Sequence, residues 1–387
     1  MRRFVTILLL IILFASCSNK LVETIPIISY GGIPQGESDS LFPLVQESGI
    51  DICIVWYKDT KAANADLDKA SLFGLKLIPA VSGFGDNTEL IVNSLKDNTA
   101  LYGYFVKDEP EMSDLDSLGR LVDSVWKYDP VHPSYINLYP NWAWGIDDYE
   151  DKIAVFAKKV DVKFYSFDQY PITMGKDSLI SIRPTWYKNL EQIARLAKIN
   201  ERPFYAFALT TSHHLTAPSP EAYYPVPTLG HIRLQVFSNL LYGAQGIEYF
   251  TFKGLYDSRT HAKEPIFDIV KQVNSEIKGY SRVFLGCEVL DTWHIGKDIP
   301  ETMHQYYGSP DKCIKHFETN GQDALVSLIQ NKETKYLAVQ NKDCVQSETI
   351  NIEFKKTVKR IFPRGERKFS GGEVALEPGN VAIFKLN

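Results

Sequence analysis

The chain is 387 residues long, 44% hydrophobic and 23% charged, which are ordinary values for a globular protein with a sizeable core and room for two domains. Its net charge of −5 comes with no basic stripe, which speaks against nucleic acid as a partner. Aromatic residues make up 12%, a rich share that suits either a ring-filled core or a sugar-binding cleft.

The chain opens on a leader. Arg2 and Arg3 form a positive n-region, and Phe4 to Phe14 an apolar run too short to span a membrane. Leu13-Phe-Ala-Ser-Cys17 follows and resembles the lipobox of bacterial lipoproteins. That resemblance implies a signal peptide over 1–16, cleavage before Cys17, a lipidated tether over 17–24, and membrane anchorage in the cell envelope. Ser18-Asn-Lys20 carries no acidic cluster, so export to the outer surface is not supported and the face of the membrane stays open. Cys53, Cys287, Cys313 and Cys344 show no CxxC pair and no Cys/His ligand spacing, so no zinc site and no other metal is expected. Cys53 reads as a small buried hydrophobe. An oxidising compartment would permit a bridge between Cys313 and Cys344.

From residue 25 to 285 strand and helix alternate. Strand one is predicted over 25–30, ended by Gly31-Gly32, and Leu41, Leu44 and Val45 give 38–48 a helical spacing. Strand two (51–57) leads to a helix over 64–73 closed by Gly74. Strand three (75–82) and a short helix (88–96) precede strand four (101–106). Ser113 is the predicted N-cap of a helix to Tyr128. Then come strand five (133–139), a helix (148–159), strand six (162–168) and a long helix within 178–200. Strand seven (202–210), a helix (231–243) and strand eight (246–252) complete the series. Eight such units in about 260 residues predict a (β/α)8 TIM barrel. A doubly wound sheet would want GxGxxG after strand one, and Gly31-Gly32-Ile-Pro34 lacks it. From 286 to 387 short alternating strands (324–329, 335–339, 349–354, 358–362, 381–385) are separated by turns at 331–334 and at Gly371-Gly372. They predict a C-terminal antiparallel β-sandwich.

Strand four ends on Asp108, Glu109 and Pro110. Catalytic side chains of a barrel come from the C-terminal ends of its strands, which makes Glu109 a general-acid candidate. Neighbours on a strand point to opposite faces, so one of the two carboxylates should face the barrel axis and the other a helix or loop. A salt-bridged rim pair is the structural alternative. Gly103-Tyr-Phe-Val-Lys-Asp-Glu-Pro110, Asp168-Gln-Tyr-Pro171 and the stretch Tyr224 to Phe252 together resemble the barrel glycoside hydrolases whose acid/base ends strand four. The resemblance implies a carbohydrate substrate, no cofactor, Glu109 as proton donor and Asp108 as its orienting or substrate-binding neighbour. The chain departs from the family at strand seven. Retaining members carry a nucleophilic glutamate there, and this chain has Thr210-Thr-Ser-His213-His214 with no carboxylate before Glu221.

Three carboxylates could stand in as base or nucleophile. Glu248 lies in an apolar strand, where burial without a partner is costly, so it is either functional or ion-paired to a barrel Arg or Lys. Asp168 ends strand six and would otherwise serve a loop cap. Asp86, in Gly83-Phe-Gly-Asp86-Asn, reads better as a turn residue. His213 and His214 suit sugar hydroxyls or proton relay, while His231 and Arg233 suit packing or capping. Trp56, Tyr57, Tyr139, Trp142, Trp144 and Tyr170 all fall at strand ends, as a platform for sugar rings would. The expectation is a lipid-anchored glycosidase. The competing reading is a non-catalytic glycan-binding lipoprotein on a degenerate barrel.

Overall fold

A parallel strand covered on both faces needs a nearly unbroken apolar run, and eight such runs pair in this chain. They are β1 (Ile27–Tyr30), β2 (Ile52–Tyr57), β3 (Lys76–Val81), β4 (Tyr104–Asp108), β5 (Ser134–Leu138), β6 (Tyr165–Phe167), β7 (Phe204–Leu209) and β8 (Gly246–Phe250). In the computed structural model, which describes residues 23–175, 179–214, 223–296, 299 and 310–386, they form one parallel sheet in the order β3-β2-β1-β8-β7-β6-β5-β4. The leader, Cys17 and Glu221 lie outside the described residues. The sheet closes into a barrel through a parallel bridge between Leu77 and Leu101, with Leu77 N–H on the Ala100 carbonyl and Tyr102 N–H on that of Leu77, both at 2.8 Å. Leu101, the predicted start of strand four, therefore pairs with β3, and the ladder to β5 begins at Tyr104.

Alternation along the strands sorts the core into two layers. Ile28, Ile52, Ile54, Ile78, Tyr135, Phe164 and Tyr205 fill the barrel. Ile27, Cys53, Val55 and Leu77 face outward onto the helices. These are α1 (Ser38–Ser48), α2 (Thr60–Leu72), α3 (Thr88–Leu95), α4 (Leu115–Tyr128), α5 (Tyr149–Lys159), α6 (Thr185–Ile199), α7 (Leu229–Leu241) and α8 (Ile266–Phe284). Helix α2 starts four residues before its predicted position because the Asp59 carboxylate accepts the Ala62 N–H at 2.8 Å. The predicted cap at Ser113 does not form. A 3₁₀ turn over Met112–Asp114 precedes α4, and Asp114 accepts the Glu111 N–H at 3.2 Å. Helix α6 lies within the predicted 178–200. Ile180–Ile182 pairs with Ile172–Met174 in a small sheet above the barrel, which Tyr223–Tyr224 and His213–His214 complete.

The C-terminal sheet is antiparallel: β9 (Glu288–Ile295), β10 (Ile314–Glu318), β11 (Ala324–Asn331), β12 (Thr334–Asn341), β13 (Glu348–Ile361), β14 (Glu366–Leu376) and β15 (Val381–Lys385). Its order is β9-β11-β12-β15-β13-β10, with β14 on β13. The two strands predicted over 349–354 and 358–362 are the single long β13, which curls the sheet around Leu337, Val339, Ile350, Ile352 and Phe384. Gly371-Gly372 makes no turn. It lies inside β14 opposite Glu353 and Ile352, next to a shift of register. Cys313 and Cys344 are both free, so the bridge allowed by the sequence is not formed.

Helix α7, buried almost all round, joins the two parts. Ser238 donates to Gln340 Oε1 at 2.7 Å, and the Gln340 amide returns to the carbonyls of Leu234 (3.1 Å) and Gly379 (3.0 Å). Arg233 bonds both Glu276 oxygens of α8 (2.6 and 3.0 Å) and the Glu377 carboxylate before β15. The backbones also touch. A Cβ at Gly230 would lie 2.2 Å from the Cys344 carbonyl oxygen, and one at Gly379 (φ +67°) would lie 2.3 Å from that of Gly230.

Candidate active site

A bulge places the key carboxylates. Phe105 of β4 pairs with Tyr135 of β5, and Asp108 pairs with Asn137, so three steps along β4 match two along β5. The extra residue restores inward parity at Asp108, and its carboxylate points into the barrel with Phe105. Glu109 follows in the left-handed region at φ +44°, its N–H on the Asn137 carbonyl at 2.9 Å. That turn carries its side chain into hydrogen-bonding reach of Asp168 at the end of β6. The expectation that strand alternation would separate Asp108 from Glu109 is thereby corrected: both reach the barrel mouth.

Asn137 is the hub. Its amide nitrogen donates to Asp108 Oδ1 (3.1 Å) and Asp168 Oδ1 (3.0 Å). Tyr30 donates to Asp108 Oδ2 at 2.6 Å. Below the hub, Ser166 Oγ lies 3.2 Å from Asn137 Oδ1, 2.5 Å from Glu248 Oε2 and 3.1 Å from the Tyr135 hydroxyl. None of these four carboxyl groups has a Lys, Arg or His ion-pair partner among the described residues. Lys107, the nearest in sequence, pairs with Asp114 at 3.4 Å. The rim salt bridge and the ion pair considered for Glu248 are both absent.

Without cations, burial and mutual repulsion act unopposed. Glu109 is pushed up to about 8 by burial and then by Asp168 and Asp108. Asp168 rises to about 6, lifted by burial and Asp108 but restrained by the Asn137 amide and the Tyr170 hydroxyl. The pair therefore keeps its proton on Glu109. Glu248, 0% exposed, is raised to about 8 by burial against the hydrogen bonds of Ser166 and Tyr135.

Around this cluster lie some of the expected aromatics. Trp56 is 45% exposed, with its ring 5.2 Å from Tyr30 and 5.6 Å from Phe105. Tyr139, half-buried, donates to Glu111 at 3.2 Å. The half-buried Trp142 lies 4.9 Å beneath the Arg183 guanidinium. Tyr170 is buried at the floor of the mouth with Phe207, Leu209 and Tyr224. His213 stacks on Tyr224 at 4.5 Å, where burial holds it below its ordinary pKa, and the exposed His214 lies 4.9 Å from Tyr223. Two expected members are elsewhere. Tyr57 follows the inward Trp56 and so faces outward, 3% exposed, within reach of Asp66 of α2. Trp144 is buried against Tyr139 and Tyr149. Asp86 is exposed and lines a groove with Lys107, Asp114 and Ser117 outside the barrel. After β7 comes Thr210, fully buried with its hydroxyl on the Thr251 carbonyl.

Tyr30, Asn137 and Ser166 belong to the cluster and were not singled out from the sequence. The signal was available, since each is polar at an inward position of an otherwise apolar strand. His231 accepts the Thr228 N–H at 3.2 Å, the capping role expected of it.

No family model and no curated protein matches the chain. Among solved structures it resembles the Pseudomonas stutzeri endoglucanase Cel5A (12% identity, 65% of this chain, 92% of that one, TM-score 0.46). It also resembles the β-mannanase of the blue mussel Mytilus edulis (11%, 65% and 92%, 0.42). A third is the GH99 endo-α-mannosidase of Bacteroides thetaiotaomicron (11%, 59% and 83%, 0.40). Likenesses this distant say nothing of activity.

Proposed function

We propose that the protein is a glycoside hydrolase in which Glu109 protonates the departing glycosidic oxygen. One observation carries this reading: a carboxyl group at the barrel mouth keeps its proton to about pH 8, while Asp168 in contact with it ionises near 6. Two carboxyl groups with separated pKa values supply an acid and an anion at the same pH. Asp168 is the anion that balances positive charge growing at the anomeric carbon, and Asp108, fixed by Tyr30 and Asn137, orients the pair. Retention goes with carboxyl groups about 5–5.5 Å apart and inversion with about 6.5–9.5 Å. Glu109 lies within hydrogen-bonding reach of Asp168, so a sugar oxygen entering between them would part the pair. Trp56, Tyr139 and Trp142 would hold the sugar rings. Glu248, fully covered, does not meet the sugar.

The test is a panel of plant, host and bacterial glycans. Glu109→Gln should lower kcat at least about a hundredfold, the usual worth of a general acid, with glycan binding retained. A wild type that binds glycans and hydrolyses none sinks the proposal in favour of the glycan-binding reading, which the buried Thr210 after β7 supports. Arg2-Arg3, the apolar leader and Cys17 support a lipid-tethered enzyme of the cell envelope. Cys17→Ser should then move the protein from the membrane to the soluble fraction, and unchanged fractionation refutes the anchor.

A further inference from the structure

Hydrogen atoms can be counted at the base of the cluster. Asn137 spends both amide hydrogens on Asp108 and Asp168, so its oxygen can only accept, and the hydrogen on that contact is the Ser166 hydroxyl's own. Ser166 has one hydrogen and makes two further contacts, to Glu248 and to the Tyr135 hydroxyl. Tyr135, whose hydroxyl also reaches Glu248, can supply one of these at most. The other, the 2.5 Å contact to Glu248, is left without a hydrogen if Glu248 is a carboxylate. All three contacts of Ser166 are satisfied only when the carboxyl of Glu248 is the donor.

We propose that Glu248 is a positioning residue: its proton, given to Ser166, turns the serine hydroxyl toward Asn137 and so holds Asp108 and Asp168 in place beside Glu109. This role rests on Glu109 being the acid, and it differs from the base or nucleophile that the sequence offered for Glu248. The surroundings favour the protonated form. Tyr135 of β5, Tyr102 before β4, Tyr205 of β7, and the Asp108 and Asp168 carboxylates are the titratable groups that face Glu248, and Ile28 is its neighbour on β1. No cation is among them. Among the described residues its second oxygen has no hydrogen-bond partner, which a neutral C=O tolerates far better than a buried carboxylate.

Infrared spectroscopy reads the C=O stretch of a protonated carboxyl directly and needs no substrate. Beside a contribution from Glu348, which burial raises to about 7, a Glu109→Gln background should show at neutral pH a band component that disappears when Glu248→Gln is added. Absence of that component overturns the proposal whatever the protein hydrolyses. Kinetics give a second arm. Glu248→Gln keeps a donor to Ser166 and should cost less than about threefold in kcat, whereas Glu248→Leu and Ser166→Ala should each cost about tenfold, the worth of one hydrogen bond. In the latter two KM stays unchanged, and the acidic limb of the pH profile moves up as Asn137 loosens its hold on Asp168. Near-ultraviolet circular dichroism separates these losses from misfolding. A Glu248→Gln variant as inactive as Glu109→Gln would overturn the proposal and give Glu248 a chemical role. Failure of the Glu109 reading itself would show as no hydrolysis by the wild type, with the infrared result still deciding the state of Glu248.

Discussion

Glu109 carries two costs at once, a left-handed backbone and a proton held far above the ordinary carboxyl range. Strain of this kind persists where surrounding structure over-determines it, and here the Asn137 carbonyl pins the Glu109 N–H. The proposed chemistry needs Glu109 protonated and Asp168 ionised, so kcat/KM should be bell-shaped. The acidic limb rises as Asp168 loses its proton near 6, and the basic limb falls as Glu109 loses its own near 8. Asp168→Asn removes the charge that raises Glu109, so the basic limb should move to lower pH; an unmoved limb would mean that the two do not interact. Residue type and strand position alone place Glu109, Asp168 and Trp56 at the barrel mouth, where the structure has them. Tyr57 was misplaced because strand ends tempt one to take neighbouring rings together, although alternation sends one of any two neighbours outward. Asn137 and Ser166 stand out in the sequence only as polar residues at inward strand positions; their role depends on partners that the fold alone brings together.

Elements follow the apolar periodicity closely where both faces are covered, and less well where a local hydrogen bond intervenes. Helix α1 needed only its Leu and Val spacing. Helix α2 grew by a turn because of Asp59, and β4 begins three residues late because Leu101 pairs with β3 instead. A bulge between Phe105 and Lys107, which no periodicity announces, turns Asp108 inward, and the left-handed turn at Glu109 brings its side chain to the same mouth. Gly371-Gly372 misled for the opposite reason: in a strand, paired glycines can mark irregular pairing as easily as a turn. Between elements, Arg233 of α7 is 5% exposed and bound to Glu276 of α8. Arg233→Ala leaves a largely covered carboxylate unpaired and should destabilise by about 3–5 kcal/mol. Because Glu276 has lost its reason to be charged there, adding Glu276→Ala should cost little more or even restore stability. Chemical denaturation of the three variants in a double-mutant cycle checks this, and simple additivity would contradict it.

At the scale of the molecule, the barrel and the C-terminal sheet share α7, Gln340 and a backbone-to-backbone contact. The partition into a barrel and an all-β region was legible because helical periodicity stops near residue 285. How tightly the two are joined was not, since Gly230 and Gly379 are unremarkable in a sequence and only the closeness of their backbones gives them meaning. Two parts coupled in this way should unfold together, in one thermal transition. Gly230→Val drives a side chain into the Cys344 carbonyl and the Pro378 ring and should split that transition or lower it, by the 1–3 kcal/mol or so that overpacking costs; calorimetry would register either. An unchanged thermogram would mean that the seam yields freely. The same two glycines set a rule for protein engineers: a chimera that borrows another protein's carboxy-terminal sheet has to keep Gly230 on the barrel and bring a bare residue to the place of Gly379, or the graft will ride above the barrel on the thickness of a methyl group.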